Sequence, residues 1–223
     1  MRISTLMALA AVLFVGVTVA SPGHAAQSQA GHLPPVAQSD IGLKASQSVA
    51  VLYSENTVSN LQYLEQYHSV AFRGAEDSKL DERIRQAFIG SSDPRLAIER
   101  LQGALQDRFA KVTVYDNLDA ALQAKPDVVV MLDTYNRLVT QRNSKIEARY
   151  AATFYDANLQ YIGKAEGFGG KDMTSAWVQG KAAVEIAARI DEQRVLQLDA
   201  LKRFDDSLQG LMDDAQNPRV AAN

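Results

Sequence analysis

The residues of this sequence that come nearest to a nucleotide-binding motif are a glycine cluster, Glu166-Gly167-Phe168-Gly169-Gly170-Lys171. A phosphate loop begins with glycine and ends in Gly-Lys followed by Ser or Thr. Here the first position holds Ala165, and Asp172 follows Lys171. The Asp172 carboxylate would repel a phosphate and has no hydroxyl to coordinate magnesium. We therefore predict no nucleotide and no ATPase activity. The cluster is predicted to be a strand end and a flexible turn, with Asp172 or Thr174 capping the next helix.

Histidine and carboxylate catalysis would require groups that converge in a cleft. His32 and His68 lie apart in sequence, and neither has a partner at metal-ligand spacing. A Ser-His-Asp arrangement built on His68 stays open as an alternative, because its members need not be neighbours in the chain. However, no Gly-x-Ser-x-Gly signature is present. Paired carboxylates such as Asp81-Glu82 stand beside basic residues, which is typical of a solvated helical face. We therefore predict no catalytic residue, no metal and no cofactor.

An aromatic segment offers a different chemistry, which is ligand binding. Its members are Tyr53, Tyr63, Tyr67 and Phe72. Tyrosine suits surfaces that are half apolar and half wet, so these side chains could line a groove for a peptide or a glycan. Packing in the core is the alternative interpretation. If the chain has a small-ligand site, we expect it here.

The helices and strands that must position these residues can be predicted from the spacing of apolar residues and from the residues that begin and end helices. A strand is predicted at Ser48–Tyr53, followed by a loop at Ser54–Asn60. Helical spacing covers Leu80–Ile89, and a second helix follows Asp93-Pro94 and carries Leu101, Leu105 and Phe109 on one face. A strand at Lys111–Tyr115, a short helix capped by Asn117 or Asp119, and a strand at Val128–Leu132 complete the first part.

The stretch from Val128 onward predicts the centre of the fold. Val128–Leu132 has no polar alternation, which favours a strand covered on both faces in the middle of a sheet. A hairpin is predicted next, from Ile146 to Tyr155 and back from Leu159 to Phe168, with Asn158 taking positive φ. In that register Ala151 faces Gly163 and Arg149 faces Ala165, giving a flat strip that a helix can approach. The predicted class is α/β with a mixed sheet and a long C-terminal helix.

The N-terminal residues predict export. Residues 1–25 have a basic start at Arg2, an apolar core at Leu6–Ala20 and small residues at Gly23-His24-Ala25, as a signal peptide does. We predict a disordered tether at 26–48, one domain at 49–212 and a flexible tail at 213–223. The chain contains no cysteine, which excludes disulfides, thiolate sites and lipid attachment through a processed cysteine. The net charge of −3 becomes −4 when Arg2 is removed, which argues against a nucleic-acid partner. A soluble periplasmic protein is expected.

The order of these motifs resembles a known group of proteins. The quoted residues are Val-Ala-Val-Leu, Val-Thr-Val-Tyr and Asp-Val-Val-Val-Met-Leu, then the hairpin Ala-Arg-Tyr-Ala-Ala-Thr-Phe-Tyr-Asp-Ala-Asn-Leu-Gln-Tyr-Ile-Gly. They are similar, over roughly Ser48 to Ala188, to small Gram-negative envelope proteins and lipoproteins. The α/β domain of that group resembles the curli and Pel secretion lipoproteins and transporter-auxiliary lipoproteins. The resemblance implies a non-catalytic envelope accessory protein that acts through protein–protein association, with no catalytic residues to transfer. This chain lacks the group's lipidated cysteine.

The long helix, predicted at about Ser175 to Met212, carries two apolar stripes separated by Asp191-Glu192-Gln193-Arg194. A helix of that length spans roughly 57 Å, longer than hairpin strands of about 33 Å. We therefore predict an association surface for an envelope partner or a second copy, formed by Leu198, Leu201, Phe204, Leu208 and Leu211. Packing of these residues on the aromatic segment Leu61–Phe72 of the same chain is the alternative.

Overall fold

The computed structural model describes residues 37–75, 81–139, 143–173 and 182–216. Within them the chain forms five strands and five helices. Their order is β1 Ser48–Tyr53, α1 Glu55–Ala75, α2 Glu82–Ser91, α3 Arg95–Gln106, β2 Lys111–Val114, α4 Leu118–Gln123, β3 Val128–Arg137, β4 Lys145–Asp156, β5 Tyr161–Asp172 and α5 Ala183–Gln216. The predicted α/β class, the hairpin and the long C-terminal helix are confirmed. The predicted signal peptide, residues 26–36 of the predicted tether and the predicted start of the long helix near Ser175 lie outside the described residues.

The five strands form one mixed sheet in the order β2-β1-β3-β4-β5. Strand β1 runs parallel to both β2 and β3, while β3, β4 and β5 are antiparallel neighbours. The prediction that Val128–Leu132 lies at the centre is confirmed, because β3 is the middle strand and four of these five residues are buried. A β-branched run without polar alternation suits such a position, since both of its faces meet protein.

The two faces of the sheet are covered differently. Alternate residues of β1 and β3, among them Val51 and Val130, share a core with α3 and α5. On the opposite face the short helix α4 packs Ala121 against Leu52 and Val129. Further along that second face β3, β4 and β5 expose side chains to solvent. The sheet therefore has one fully covered face and one that is open over the hairpin.

The hairpin register differs from the prediction. Ala151 pairs with Glu166, and Ala152 pairs with Ala165, so the strands are offset by three residues from the predicted pairing. Positive φ occurs at Leu159 (61°), where Asn158 was predicted. The cause is the turn: the Asp156 carboxylate accepts hydrogen bonds from the main-chain N–H of Asn158 and of Gln160, which organises a four-residue loop. A bulge between residues 154 and 155 adds to the shift.

The glycine cluster lies inside β5 and not in a loop, so the predicted turn there is wrong. Alternate residues of this strand are buried and face α5, and they are small: Gly163, Ala165, Gly167 and Gly169. An ideal Cβ on Gly167 would lie 2.0 Å from the carbonyl oxygen of Ala200. The flat strip that the sequence predicted therefore exists, built from other residues, and it lets the helix backbone touch the strand.

Helix α5 is continuous for 34 residues, about 51 Å, and uses two different supports. Its first half packs Ala187 and Ile190 against Ile84 and Ala87 of α2. Its second half lies on the sheet. The helix is longer than the hairpin strands, and α2 covers the part of the helix that extends past them. The helix ends at Gln216, four residues beyond the predicted end.

Residues 37–47 are part of the packed domain, so the predicted tether boundary at 48 is too late. The main-chain N–H of Ser39 donates to the Tyr161 carbonyl at 2.8 Å, and Tyr161 N–H donates back to Ala37. Leu43 is fully buried in the main core. This segment is attached by one buried leucine, by two main-chain hydrogen bonds to Tyr161 at the start of β5, and by the Ser39 hydroxyl, which donates to the Asp156 carboxylate at the end of β4.

Candidate functional site

A cleft of about 470 Å³ opens where α1 passes the end of β3. This volume falls within the roughly 300–1,000 Å³ that small-ligand sites occupy. The cleft is lined by amides, hydroxyls and aromatic rings together with one arginine. The lining residues are Asn56, Ser59, Asn60, Tyr63, Tyr135, Asn136, Arg137, Leu138 and Asn143.

The cleft exists because β1 is shorter than its neighbour. Strand β1 ends at Tyr53, which pairs with Leu132, whereas β3 continues to Arg137. Beyond Leu132 the main chain of β3 has no strand beside it on this side. Buried main-chain N–H and C=O groups must be paired, so another element has to supply partners.

Helix α1 supplies those partners with side chains. The Thr57 hydroxyl donates to the Leu132 carbonyl and accepts from the Thr134 N–H, both at 2.9 Å. The Asn60 side-chain oxygen Oδ1 accepts from the Asn136 N–H at 2.8 Å. One turn later the Tyr63 hydroxyl accepts from the Leu138 N–H at 3.2 Å. Positions three residues apart lie on one side of a helix, so this side continues the sheet's hydrogen bonding.

This arrangement corrects the predicted loop at Ser54–Asn60, which is the start of α1. Ser54 caps the helix by accepting from the Thr57 N–H at 3.1 Å. The side of α1 that faces β3 is polar, so the segment shows no apolar stripe. The signal that was available is the Ser54 cap followed by polar residues at 57, 60, 63 and 67.

The four aromatic residues of the predicted groove do not come together. Tyr63 and Tyr67 are adjacent on α1, with ring centroids 6.3 Å apart, and Tyr63 lines the cleft. Tyr67 is turned the other way and donates to the Val139 carbonyl at 2.8 Å. Tyr53 accepts from the Gln102 amide on α3. Phe72 is exposed near the other end of α1. The aromatic partner of Tyr63 in the cleft is Tyr135, which the sequence did not single out.

The polar side chains around the cleft lie on both faces of the sheet. Asn136 is only 4% exposed and shares the covered face with Tyr150, whose hydroxyl donates to the Asn136 side-chain oxygen at 2.8 Å. The Tyr63 hydroxyl accepts from Leu138 and has its own proton to donate. The Arg137 Nη1 lies 3.8 Å from the Glu147 carboxylate, which is 2.7 Å from Lys145.

Electrostatics keep the Tyr63 hydroxyl protonated. Burial raises the pKa of Tyr63 above its ordinary value and outweighs the lowering effect of the hydrogen bond from the Leu138 N–H, while weaker effects of Tyr135 (raising) and Arg137 (lowering) oppose each other. Tyr63 is therefore a neutral donor at physiological pH. Its interaction with Tyr135 and Arg137 shows that the three side chains share one electrostatic environment.

The cleft continues onto the open face of the sheet through Tyr135. Tyr135, Arg149 and Phe168 stand side by side in register on β3, β4 and β5. The Arg149 guanidinium lies 5.8 Å from the centre of the Tyr135 ring. The Phe168 ring is 53% exposed and covers Gly170. An aromatic and cationic row thus extends from the cleft to the edge of the sheet.

The predicted association surface is mostly inside the protein. Phe204 and Leu208 are 1% and 0% exposed in the main core, and Leu201 is buried beside them. Leu211 is partly buried and packs on Gly163, and Leu198 is 36% exposed. These residues pack on the sheet, and not on the segment Leu61–Phe72 of the alternative interpretation. The small residues of β5 make that possible, since they admit the helix.

His68 does not form the base of a hydrolase triad among the described residues. Its Nδ1 lies 3.0 Å from the Ser92 Oγ. The Ser92 hydroxyl is buried and donates to the Phe88 carbonyl at 2.7 Å, so the imidazole N–H is the donor to Ser92. A nucleophile would need the opposite polarity, with its proton directed at the imidazole.

The described ranges contain neither a cluster of metal-ligating side chains nor a membrane-spanning helix. No group of three or more histidine, aspartate or glutamate side chains there could hold a metal ion. No helix of the described part of the chain combines the length and apolarity needed to cross a membrane.

No protein-family model matches the sequence, and no curated protein matches it. Among solved structures the chain is similar to a PelC dodecamer from Paraburkholderia phytofirmans, at 13% sequence identity and a TM-score of 0.31, over 72% of this chain and 90% of that chain. A single-residue variant of PelC from the same organism, also a dodecamer, matches at 12% identity and a TM-score of 0.30, over 74% and 95%. Likeness at this level does not establish function, so the function is inferred from this chain's own residues.

Proposed function

We propose that this chain is a non-catalytic, exported binding protein of a bacterial envelope that takes a small polar ligand, such as a glycan unit, in the cleft between α1 and β3. The observation that carries the proposal is the Tyr63 hydroxyl, whose proton has no acceptor among the described residues, beside the exposed Tyr135 ring that lines the same cleft. A polar donor next to an aromatic ring suits a ligand that has hydroxyl groups and one apolar face.

The position of the cleft in the fold supports this function. Strands β1 and β3 are adjacent and parallel, and the chain leaves them in opposite directions, toward β2 and toward β4. In open α/β sheets, ligands bind outside the carboxyl ends of strands at such a switch point. Rigid positioning of the lining also supports binding, because Thr57 and Asn60 attach α1 to β3 through buried hydrogen bonds.

The test is a thermal-shift screen of the purified chain lacking residues 1–25 against neutral sugars, sugar acids, amino acids and short peptides. A ligand at a hundred times its Kd stabilises the folded state by about 2.7 kcal/mol. The Tyr135→Ala variant should abolish the shift, since this exposed ring lines the cleft. Phe168→Ala, on the same face outside the cleft, is the matched control. A shift that survives Tyr135→Ala, or a screen without any shift, would refute the cleft as the site.

Export is the second part of the proposal. The basic start, the apolar core and the Gly23-His24-Ala25 site support export and cleavage, and we propose that the mature protein, which has no cysteine to carry a lipid, is soluble in the periplasm. Mass spectrometry of the protein from its native host should find a mature N-terminus near Ala26. Intact Met1 in the cytosol would overturn this part.

Association with an envelope protein or with a second copy is a second candidate function. The observation that favours it is the exposed row Tyr135, Arg149 and Phe168, since aromatic and arginine side chains are enriched at interfaces. Light scattering and co-purification from the envelope should then depend on Phe168, which the cleft does not use. If the wild-type chain, with Phe168 intact, is a monomer and co-purifies with no envelope protein, this second candidate function is refuted.

A further inference from the structure

We propose that the ligand of the cleft is a short peptide in extended conformation, bound through the main chain of one of its residues. This inference rests on the proposed function, since it names the ligand class of the same site, and it favours a peptide over a glycan unit. It comes from one acceptor and one donor that the same edge of β3 presents to the cleft.

The acceptor is the main-chain carbonyl of Asn136. The Asn136 N–H donates to the Asn60 side-chain oxygen, toward α1, and the N–H and C=O of one strand residue point to the same side. The Asn136 side chain lies with Tyr150 on the covered face, so its main chain is the part that lines the cleft. No described residue donates a hydrogen bond to this carbonyl. Buried main-chain acceptors are usually paired, so this one is available to a ligand.

The donor is the Tyr63 hydroxyl, at the next position along the same edge. It accepts from the N–H of Leu138, which follows Asn136 by two residues, or about 6.8 Å of strand. The proton of the hydroxyl has no acceptor among the described residues. Tyr63 therefore takes the place of the Leu138 N–H as the donor that this edge offers to the cleft.

A ligand that meets both groups must donate and accept on the same side. One residue of an extended peptide does so, as a strand residue does when it exchanges two hydrogen bonds with its neighbour. The acetamido group of a sugar does not, since a planar trans amide directs its N–H and C=O to opposite sides. Peptides add to free strand edges through such main-chain hydrogen bonds. The edge therefore favours a peptide residue, bound between the Asn136 carbonyl and the Tyr63 hydroxyl.

The charges around the cleft favour a ligand that binds without a charge of its own. The Arg137 guanidinium lies 3.8 Å from the Glu147 carboxylate on the neighbouring strand. The Asp133 carboxylate accepts from the Ser54 hydroxyl and the Asn56 amide. The charged groups beside the cleft thus have partners within the protein, and the main chain of a peptide is neutral.

The two walls of the cleft differ in polarity. The Tyr135 ring, 38% exposed, stands on the side of β3, whereas Asn56 and Ser59 stand on the side of α1. Successive side chains of an extended peptide point to opposite sides. We therefore expect an apolar side chain packed on the Tyr135 ring, with a polar neighbour facing α1.

The experiment uses a peptide capped at both ends, acetyl-alanyl-leucyl-serine amide, and three analogues in which one N–H of the chain in turn is replaced by an ester oxygen. Isothermal titration and amide chemical shifts would be recorded on the full chain without residues 1–25. We expect one ester to bind about tenfold more weakly or worse, because it leaves the Asn136 carbonyl without a donor. The shifts caused by the peptide should centre on the Asn136 and Leu138 amides.

Two tyrosine variants of α1 give the matched comparison. Tyr63→Phe removes the donor and should weaken binding of the peptide at least about fivefold, while the difference between peptide and ester remains. Tyr67→Phe makes the same chemical change on the same helix, but its hydroxyl donates to the Val139 carbonyl outside the cleft. It should alter the affinity by less than about threefold.

The outcomes separate the inference from the proposed function. If all three esters bind as tightly as the peptide, or if Tyr63→Phe has no larger effect than Tyr67→Phe, the peptide inference is wrong and the binding function stands. The same holds if the capped peptide causes no shifts at millimolar concentration while another compound, such as N-acetylglucosamine, binds in the cleft. If no compound of the wider screen shifts the amides of the cleft, both fail.

Discussion

Gly167 offers the sharpest test of how α5 docks on the sheet. Its backbone has an ordinary strand φ, so alanine is not strained there by conformation. The added Cβ would lie 2.0 Å from the Ala200 carbonyl oxygen and 2.5 Å from the Phe204 nitrogen. Both contacts are with helix backbone, which cannot rotate away as a side chain can. The closer contact falls 1.4 Å short of the 3.4 Å at which ordinary contact begins.

The size of the destabilisation follows from the packing contacts that α5 would lose. To accommodate the methyl group, α5 has to move away from β5 by about 1 Å. A gap of 0.5–1 Å forfeits roughly a quarter to a half of each dispersion contact. The side chains affected include Phe204 and Leu208, which are fully packed in the core. Overpacking of this kind costs roughly 1–3 kcal/mol or more. We expect Gly167→Ala to lower the free energy of unfolding by about 3 kcal/mol.

Urea denaturation of the chain lacking residues 1–25 measures this cost. With an m-value near 2 kcal/mol/M, the midpoint should fall by roughly 1.5 M with an unchanged slope. Gly169→Ala should cost less, because its Cβ would meet the Leu196 side chain at 3.1 Å and backbone only at 3.2 Å. Gly210→Ala is the matched control on α5 itself, where nothing lies within 4 Å, and it should stabilise by about 0.5–1 kcal/mol. A Gly167→Ala protein within about 0.5 kcal/mol of the wild type would refute direct backbone contact.

Two further predictions concern the hydrogen bonds that hold β3 in place. Thr57→Val keeps the shape but leaves the buried Thr134 N–H unpaired, while the Leu132 carbonyl keeps its hydrogen bond from the Ser54 N–H. It should therefore destabilise by about 1–3 kcal/mol and speed exchange of the Thr134 amide, whereas Thr57→Ser should retain most of the stability. Unchanged exchange in Thr57→Val would contradict the account of α1. The Ser48 N–H and hydroxyl hold the pKa of Asp127 below its ordinary value, so this carboxylate stabilises the fold above about pH 3.9, and its contribution is lost as the pH falls through the lower folded-state pKa. The difference in stability between wild type and Asp127→Asn should therefore shrink in acid, and a difference that is constant from pH 6 to pH 2.5 would show that the carboxylate charge has no part in it.

The sequence by itself determined the elements whose burial is purely apolar. The run Val128–Leu132 predicts a central strand, because β-branched side chains on both faces need cover on both faces. The spacing of Leu101 and Leu105 likewise predicts the buried side of α3, and both leucines are fully buried. In each case the pattern of apolar residues and the surface that they bury coincide, so periodicity is enough.

The tertiary structure alone decided where the polar residues go. The side of α1 that faces β3 is polar because its side chains form hydrogen bonds with the main chain of β3 beyond the point where β1 ends. The spacing of Thr57 and Asn60 in the sequence does not indicate which strand extends past its neighbour. The pairing of β4 with β5 likewise depends on a turn organised by Asp156, which shifts every residue of the strip under α5. The sequence predicts an exposed Phe204, but Phe204 is buried because the glycines of β5 let α5 approach the strand. The pattern of apolar residues within the helix carries no information about those glycines. The cleft has the same origin: Asn136 and Arg137 line it because β3 runs past β1, a difference in strand length that is fixed only when the strands are paired.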